Sequence, residues 1–215
     1  MLTRRHDSSL VVDRLCDWTR GHNTTVTCFY FDFAARKEQT ATSMLGSLLK
    51  QIVSATGRIP EGIWQGLREQ REAISRRKPQ LGDIVKMLQL ITSSQPIFMV
   101  IDALDECRAV QRYRLFDSLK EILEKSTGAR IFMTGRPHIR TEIETRLAGR
   151  VASVSVGPIR DDIIKFLRAR LSDDETPDAM DSSLEAEILE KIPRNMSEMW
   201  AAAAVFLRIP LLIIG

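Results

Sequence analysis

The sequence predicts an α/β fold, a parallel sheet with helices on both faces, and three observations carry that reading. Ile97, Phe98, Met99, Val100 and Ile101 form an unbroken apolar run ended by Asp102, which suits a strand covered on both sides, as strands of parallel sheets are. A helical pattern with Leu115, Phe116, Leu119, Ile122 and Leu123 follows and leads past Gly128 to a strand at residues 130–134. Strand, crossover helix, strand is the unit from which parallel sheets are built. Helical and extended patterns also alternate along the rest of the chain, with no internal repeat or low-complexity tract.

The elements follow in order. Residues 8–20 carry Val11, Leu15 and Trp18 at helical spacing, with Asp7, Ser8 and Ser9 as candidate caps and Gly21 as a stop. Residues 26–33, rich in β-branched and aromatic side chains, predict a buried strand. Met44, Leu45, Leu48, Leu49, Ile52 and Val53 give the segment 41–55 a broad apolar helical face. A second helix is expected to hold Ile63, Trp64, Leu67 and Ile74, and a third Leu81, Ile84, Val85, Leu88 and Ile91, with Pro79 between them. Beyond the strand at 130–134, Ile139, Ile143 and Leu147 predict a helix, residues 151–156 a strand, and residues 161–171 and 182–192 two further helices.

The chain has 215 residues, 44% hydrophobic and 27% charged, which is ordinary globular usage and length for one domain. Lys and Arg number 31 against 28 Asp and Glu, a net charge of +3 with the signs mixed, so bulk charge gives no reason to expect nucleic acid as a partner. The basic stretch Arg68, Arg71, Arg76, Arg77 and Lys78 is interrupted by Glu69 and Glu72 and reads as a solvated helix face. Cys16, Cys28 and Cys107 are too few and too scattered for a disulfide framework, and His6, His22 and His138 lack zinc-ligand spacing. A reducing cytosol is the expected location. The apolar residues 199–215 are short for a membrane span and contain Arg208 and Pro210, so no membrane partner is expected.

The chemistry-bearing stretch is the strand end at Asp102, Ala103, Leu104, Asp105 and Glu106. In an open parallel sheet the carboxyl ends of strands face the ligand crevice, so three carboxylates there can reach a metal or a water. Magnesium suits them best, because it takes hard oxygen ligands, keeps several waters and bridges to substrate phosphates. The competing reading is that Asp102 and Asp105 cap the next helix and Glu106 is a solvated acid of its first turn. The neighbouring strand ends in Thr134, Gly135, Arg136, Pro137 and His138, which puts Arg136 on the same sheet edge as Asp102, where a guanidinium can contact phosphate. Cys107 follows the acidic cluster without a partner histidine and reads as a packing residue.

These strings carry a resemblance. FMVIDALDEC resembles the Walker B segment of NACHT-type signal-transduction NTPases of the STAND class, and RIFMTGRPH resembles their sensor 1 strand. The chain is most similar to the nephrocystin-like N-terminal NACHT module of large fungal NLR-like receptors, in which FYFDFAARKEQ and LLKQI also have counterparts. The resemblance implies a three-layer sheet of P-loop NTPase type and a switch closed with ADP and open, oligomerising, with ATP. It implies that Asp102 holds magnesium, that Asp105 or Glu106 positions the hydrolytic water, and that Arg136 senses the γ-phosphate, with Thr134 also in the nucleotide site.

The chain also departs from that family. The phosphate loop Gly-x-x-x-x-Gly-Lys-Ser/Thr, expected just before Ser8 and Ser9, does not occur in the sequence. Neither does the strand before it, which in the family lies between the strands corresponding to 130–134 and 151–156. Two strand edges are then expected to lack a partner unless they close on each other or recruit another chain. Residues 1–195 therefore read as a partial NACHT-like domain, incomplete at its N-terminal strand and loop, and 196–215 as a divergent apolar tail. A chain cut short relative to its family and a natural short protein account for this equally. Two functions follow: a nucleotide-dependent signalling switch with impaired ATP/ADP and magnesium binding, or a non-catalytic interaction module that associates with itself or with full-length relatives.

Overall fold

Alternate residues of one interior strand face two different cores. In the computed structural model, which describes residues 4–55, 65, 68, 72, 79–156, 160–172, 181–199 and 202–207, strand β2 spans Ile97–Asp102. Its Ile97, Met99 and Ile101 belong to the main core, while Val100 packs on the opposite face with Phe132. This period of two, with both faces buried, is the reason the segment reads as one apolar run.

The main core is supplied by three helices. They are α2 (Ala41–Ala55), α3 (Leu81–Ser94) and α4 (Ala109–Lys125), which follow α1 (Arg4–Thr19) in the chain. Met44, Leu45, Leu48 and Ile52 of α2, Leu88 of α3, and Phe116, Leu119, Ile122 and Leu123 of α4 are fully buried against the sheet. Each such side chain stabilises the fold by about 1.5–3 kcal/mol relative to exposure. The other face is covered by α1, whose Val11, Val12 and Leu15 pack on Val100 and Phe132. Thr40 starts α2 by a reciprocal cap: its Oγ1 accepts the Ser43 N–H at 3.1 Å, and Ser43 Oγ accepts the Thr40 N–H at 2.8 Å.

The sheet has five strands in the order β1-β2-β3-β5-β4, where β1 is Thr25–Tyr30, β3 Ala129–Gly135, β4 Val151–Val156 and β5 Ala202–Leu207. β1, β2 and β3 are parallel neighbours. The expected α/β architecture with helices on both faces is therefore present. The tail segment expected outside the domain contributes β5, which runs antiparallel between β3 and β4. The two edges expected to lack a partner are thus joined by the chain's own later residues, a solution not anticipated from sequence.

Several boundaries shift for local reasons. Strand β1 stops at Tyr30 instead of Phe33: Phe31 N–H still donates to Asp102 O at 3.1 Å, but Asp32 then folds a turn by accepting the Ala34 N–H at 2.9 Å. Helix α1 is already formed at Arg4, so Asp7, Ser8 and Ser9 lie within it and are not caps. The helix expected over Ile139–Leu147 opens as a 3-10 turn, Pro137–Ile139, before α5 (Arg140–Arg146). Helix α6 spans Arg160–Ser172, and α7 (Ser182–Met199) runs through Pro193 past the expected end at Ile192. The helix expected around Ile63, Trp64, Leu67 and Ile74 lies outside the described residues. Among the described residues no helix is long and apolar enough to cross a membrane.

β1 ends the sheet on one side, and its edge is clasped by α2. Gln51 Oε1 accepts the Cys28 N–H at 3.0 Å and Gln51 Nε2 donates to Cys28 O at 2.8 Å, so one side-chain amide imitates a neighbouring strand. Gln51→Leu removes both bonds while keeping most of the volume. The expected loss is about 1–2 kcal/mol of stability, at about 1 kcal/mol per bond, read from urea unfolding midpoints. An unchanged midpoint would show that water serves this edge equally well.

Candidate functional site

The carboxyl ends of β2 and β3 lie side by side because the two strands pair in parallel register from Ile97↔Ala129 to Ile101↔Met133. The next residues, Asp102 and Thr134, therefore emerge together at one sheet edge. Asp102 is 4% exposed. Its Oδ1 accepts the hydroxyl of Thr134, and the same Thr134 Oγ1 accepts the Ala103 N–H at 3.1 Å. A buried carboxylate is costly without such partners.

Ala103 has φ 54° and ψ 43°, the one positive-φ residue other than glycine among the described residues. This left-handed backbone costs an L-residue roughly 1–2 kcal/mol and turns the chain from the strand into a 3-10 turn, Leu104–Glu106. The turn is closed by Glu106 N–H to Ala103 O at 2.9 Å and Cys107 N–H to Leu104 O at 3.1 Å. Backbone strain of this kind concentrates at functional sites.

That turn rotates Asp105 towards β3. Asp105 Oδ1 accepts the backbone N–H of Arg136 at 3.2 Å and Oδ2 pairs with Arg136 Nε at 3.2 Å, the aspartate side chain being 5% exposed and the arginine side chain 58%. At Gly135 a Cβ would lie 2.3 Å from Ile139 Cδ1 in the 3-10 turn that follows, so a larger residue there would displace that side chain. Glu106 lies in the acidic turn and is half-buried.

All five residues singled out from sequence are thus at one edge, with roles that the spacing did not reveal. Asp102 and Thr134 are bonded to each other, and Asp105 holds Arg136. Among the described residues no three Asp, Glu, His or Cys side chains gather as a metal-holding group, so the three carboxylates do not converge on one point. One buried carboxylate beside one hydroxyl fits magnesium only where phosphates bring most of its ligands.

Sequence reasoning missed Arg112. Its Nε lies 3.0 Å and 3.2 Å from the two Glu142 carboxylate oxygens, its Nη2 2.7 Å from Oε2, and its Nη1 donates to Cys107 O at 3.0 Å. The pair ties the exit of the acidic turn to α5. Burial works against the arginine's charge, yet Glu142 outweighs it and holds the guanidinium above its ordinary pKa. The signal was available, since Arg112 extends the apolar stripe of Leu115, Phe116 and Leu119, where a cation needs a buried acid. Cys107 packs as expected: burial first, against the opposing pull of Arg112 and Arg36, pushes its thiol up to about 11 and keeps it protonated.

Removing one member of this pair strands the other in a poorly hydrated place. Arg112→Ala is expected to cost roughly 3–5 kcal/mol, whereas the double change Arg112→Met with Glu142→Leu is expected to cost much less. Denaturant midpoints of the two variants test this. Equal losses would mean that the bond to Cys107 O, and not the ion pair, carries the stability.

A family model described as nephrocystin 3, N-terminal, matches residues 7–136. Comparisons with curated proteins and with solved structures gave no match. The matched segment covers more than half of the 215 residues and holds Asp102, Asp105, Glu106, Thr134 and Arg136, and the chain belongs to the nephrocystin 3 N-terminal family.

Proposed function

We propose that the chain is a partial NACHT-like signalling module whose strand-end site takes a nucleotide with magnesium. The observation that carries this reading is the joined end of β2 and β3: a buried Asp102 fixed by Thr134, a strained Ala103, and Arg136 presented beside them at the carboxyl edge. Ligands of open α/β sheets bind at that edge. The resemblance of this segment to Walker B and sensor 1 supplies the nucleotide.

Each residue then has a distinct task. Asp102 would hold magnesium, which supplies neutralisation of phosphate charge when bound. Thr134 orients the Asp102 carboxylate by donating to Oδ1. Asp105 holds Arg136, and the resemblance gives the task of orienting a water to Asp105 or Glu106. Arg136, held through Nε and more than half exposed, keeps the outer face of its guanidinium for a phosphate. The sequence contains no Gly-x-x-x-x-Gly-Lys-Ser/Thr loop, so binding is expected to be weak. Its three free cysteines suit a reducing cytosol.

One observation favours a second reading, a non-catalytic interaction module: an out-of-pattern antiparallel strand sits inside the sheet between β3 and β4, where another chain's strand would fit equally. Equilibrium binding of fluorescent ATP and ADP, with and without magnesium, separates the two. The switch reading expects saturable, magnesium-dependent binding that falls about tenfold or more in Asp102→Asn, a change that keeps the Thr134 bond, as loss of a charge-assisted contact of about 1.5–3 kcal/mol requires. It expects Arg136→Ala to weaken ATP more than ADP. Absence of saturable binding by the folded protein, or binding indifferent to Asp102, overturns it in favour of the interaction module.

A further inference from the structure

The segment between β1 and α2, residues 31–40, straddles the acidic turn. Its start is tied to the end of β2, where Phe31 N–H donates to Asp102 O at 3.1 Å. Its far end is tied to the first turn of α4: Ala41 N–H donates to Gln111 Oε1 at 3.1 Å, and Gln111 N–H in turn donates to Arg108 O at 2.9 Å. β1 and β2 run in parallel register up to Tyr30↔Asp102. This loop and the turn at 103–108 therefore leave the sheet at the same carboxyl edge, where ligands of open α/β sheets bind.

The loop has a fixed shape of its own. Asp32 N–H donates to Gln39 Oε1 at 3.0 Å, Ala35 N–H to Asp32 O at 3.1 Å and Glu38 N–H to Ala35 O at 2.9 Å. On this frame Phe33 is 61% exposed and Arg36 is exposed beside it. Arg36 Cζ lies 5.7 Å from the centre of the Phe33 ring, a cation–π contact that steadies the guanidinium and uses none of its N–H donors. The charge of Arg36 reaches the exit of the acidic turn, where it draws the Cys107 thiol downward against the effect of burial. Arg108, also exposed, is the next residue. Among the described residues neither Arg36 nor Arg108 pairs with a carboxylate, whereas Arg112 and Arg136 do. Like charges gathered at one turn repel, and an anion that meets both relieves the repulsion.

We propose that the loop 31–40 is the second wall of the strand-end site and that Arg36, with Arg108 beside the turn, binds the phosphate chain of the ligand from the β1 side, as Arg136 does from the β3 side. Asp102, on the strand between β1 and β3, is then flanked by guanidinium groups on both sides. This inference rests on the nucleotide reading and names a specificity residue for it: a contact to the phosphate chain favours the longer, more highly charged ligand.

The test titrates the full chain with ATP, ADP and inorganic tripolyphosphate, each with magnesium, by calorimetry. Arg36→Ala is compared with Arg36→Lys and with Arg168→Ala, which removes the same charge from an exposed position on α6. Arg36→Ala is expected to weaken ATP and tripolyphosphate about tenfold, as loss of a charge-assisted contact does, and ADP less. Arg36→Lys is expected to recover part of the loss, and Arg168→Ala to bind as the unaltered chain does. Tripolyphosphate separates a contact to phosphate from one to the base: a loss seen with ATP but not with tripolyphosphate overturns the assignment. So does an equal loss in Arg168→Ala, because the effect is then one of net charge. Binding that falls in Asp102→Asn but not in Arg36→Ala overturns this inference alone and leaves the nucleotide reading in place, whereas no saturable binding of any of the three by the folded chain overturns both.

Discussion

A carboxylate buried at the end of an all-apolar strand must be satisfied, and the geometry of the sheet's carboxyl edge follows from how this chain does it. Asp102 leaves water at the end of β2, where an unpaired charge would cost several kcal/mol. The relief comes from the neighbouring strand, and only because parallel register brings Thr134 alongside. One hydroxyl then serves two demands. It donates to the carboxylate and accepts from the amide of Ala103, whose left-handed backbone is thereby held in place. The strain at Ala103 and the burial of Asp102 are two sides of one arrangement.

Two ion pairs beyond this point differ in a way that bears on function. Arg112 and Glu142 are both largely buried, with 11% and 19% of their side chains exposed, and their fork geometry leaves little for another ligand. Such a pair fixes α4, α5 and the exit of the acidic turn as one unit. Asp105 and Arg136 are unequal: the acid is enclosed and the base reaches solvent. Only the second pair keeps a cationic surface beside Asp102. A rigid buried clamp supporting a half-exposed arginine suits the proposed reading, in which that arginine meets a phosphate.

Periodicity made most of the fold legible. Helices α2, α3 and α4 and strands β2 and β4 follow directly from apolar spacing, because burial on one or both faces is written into residue order. The site was legible as a position but not as a set of contacts. The spacing Asp-x-x-Asp-Glu does not say that Ala103 turns left-handed, and it is this turn that aims Asp105 at β3 and away from Asp102. Arg112 and Glu142 are 30 residues apart, and pairing over that distance leaves no local pattern. Strand β5 was least legible: an apolar stretch states that it is buried, while direction and partner are decided by which backbone edges remain open elsewhere.

That last point joins the fold to the site. Thr134 and Gly135 belong at once to the polar network around Asp102 and to the ladder with β5. Gly135 is further constrained by Ile139, whose turn carries Arg136 into reach of Asp105. β5 holds the backbone of Thr134 and Gly135 from the side opposite β2, so the residue whose hydroxyl orients Asp102 is held on both sides. Without β5 that side of β3 would be left to water. Order at the carboxyl edge therefore depends on the strand that borders β3 on its far side as well as on β2.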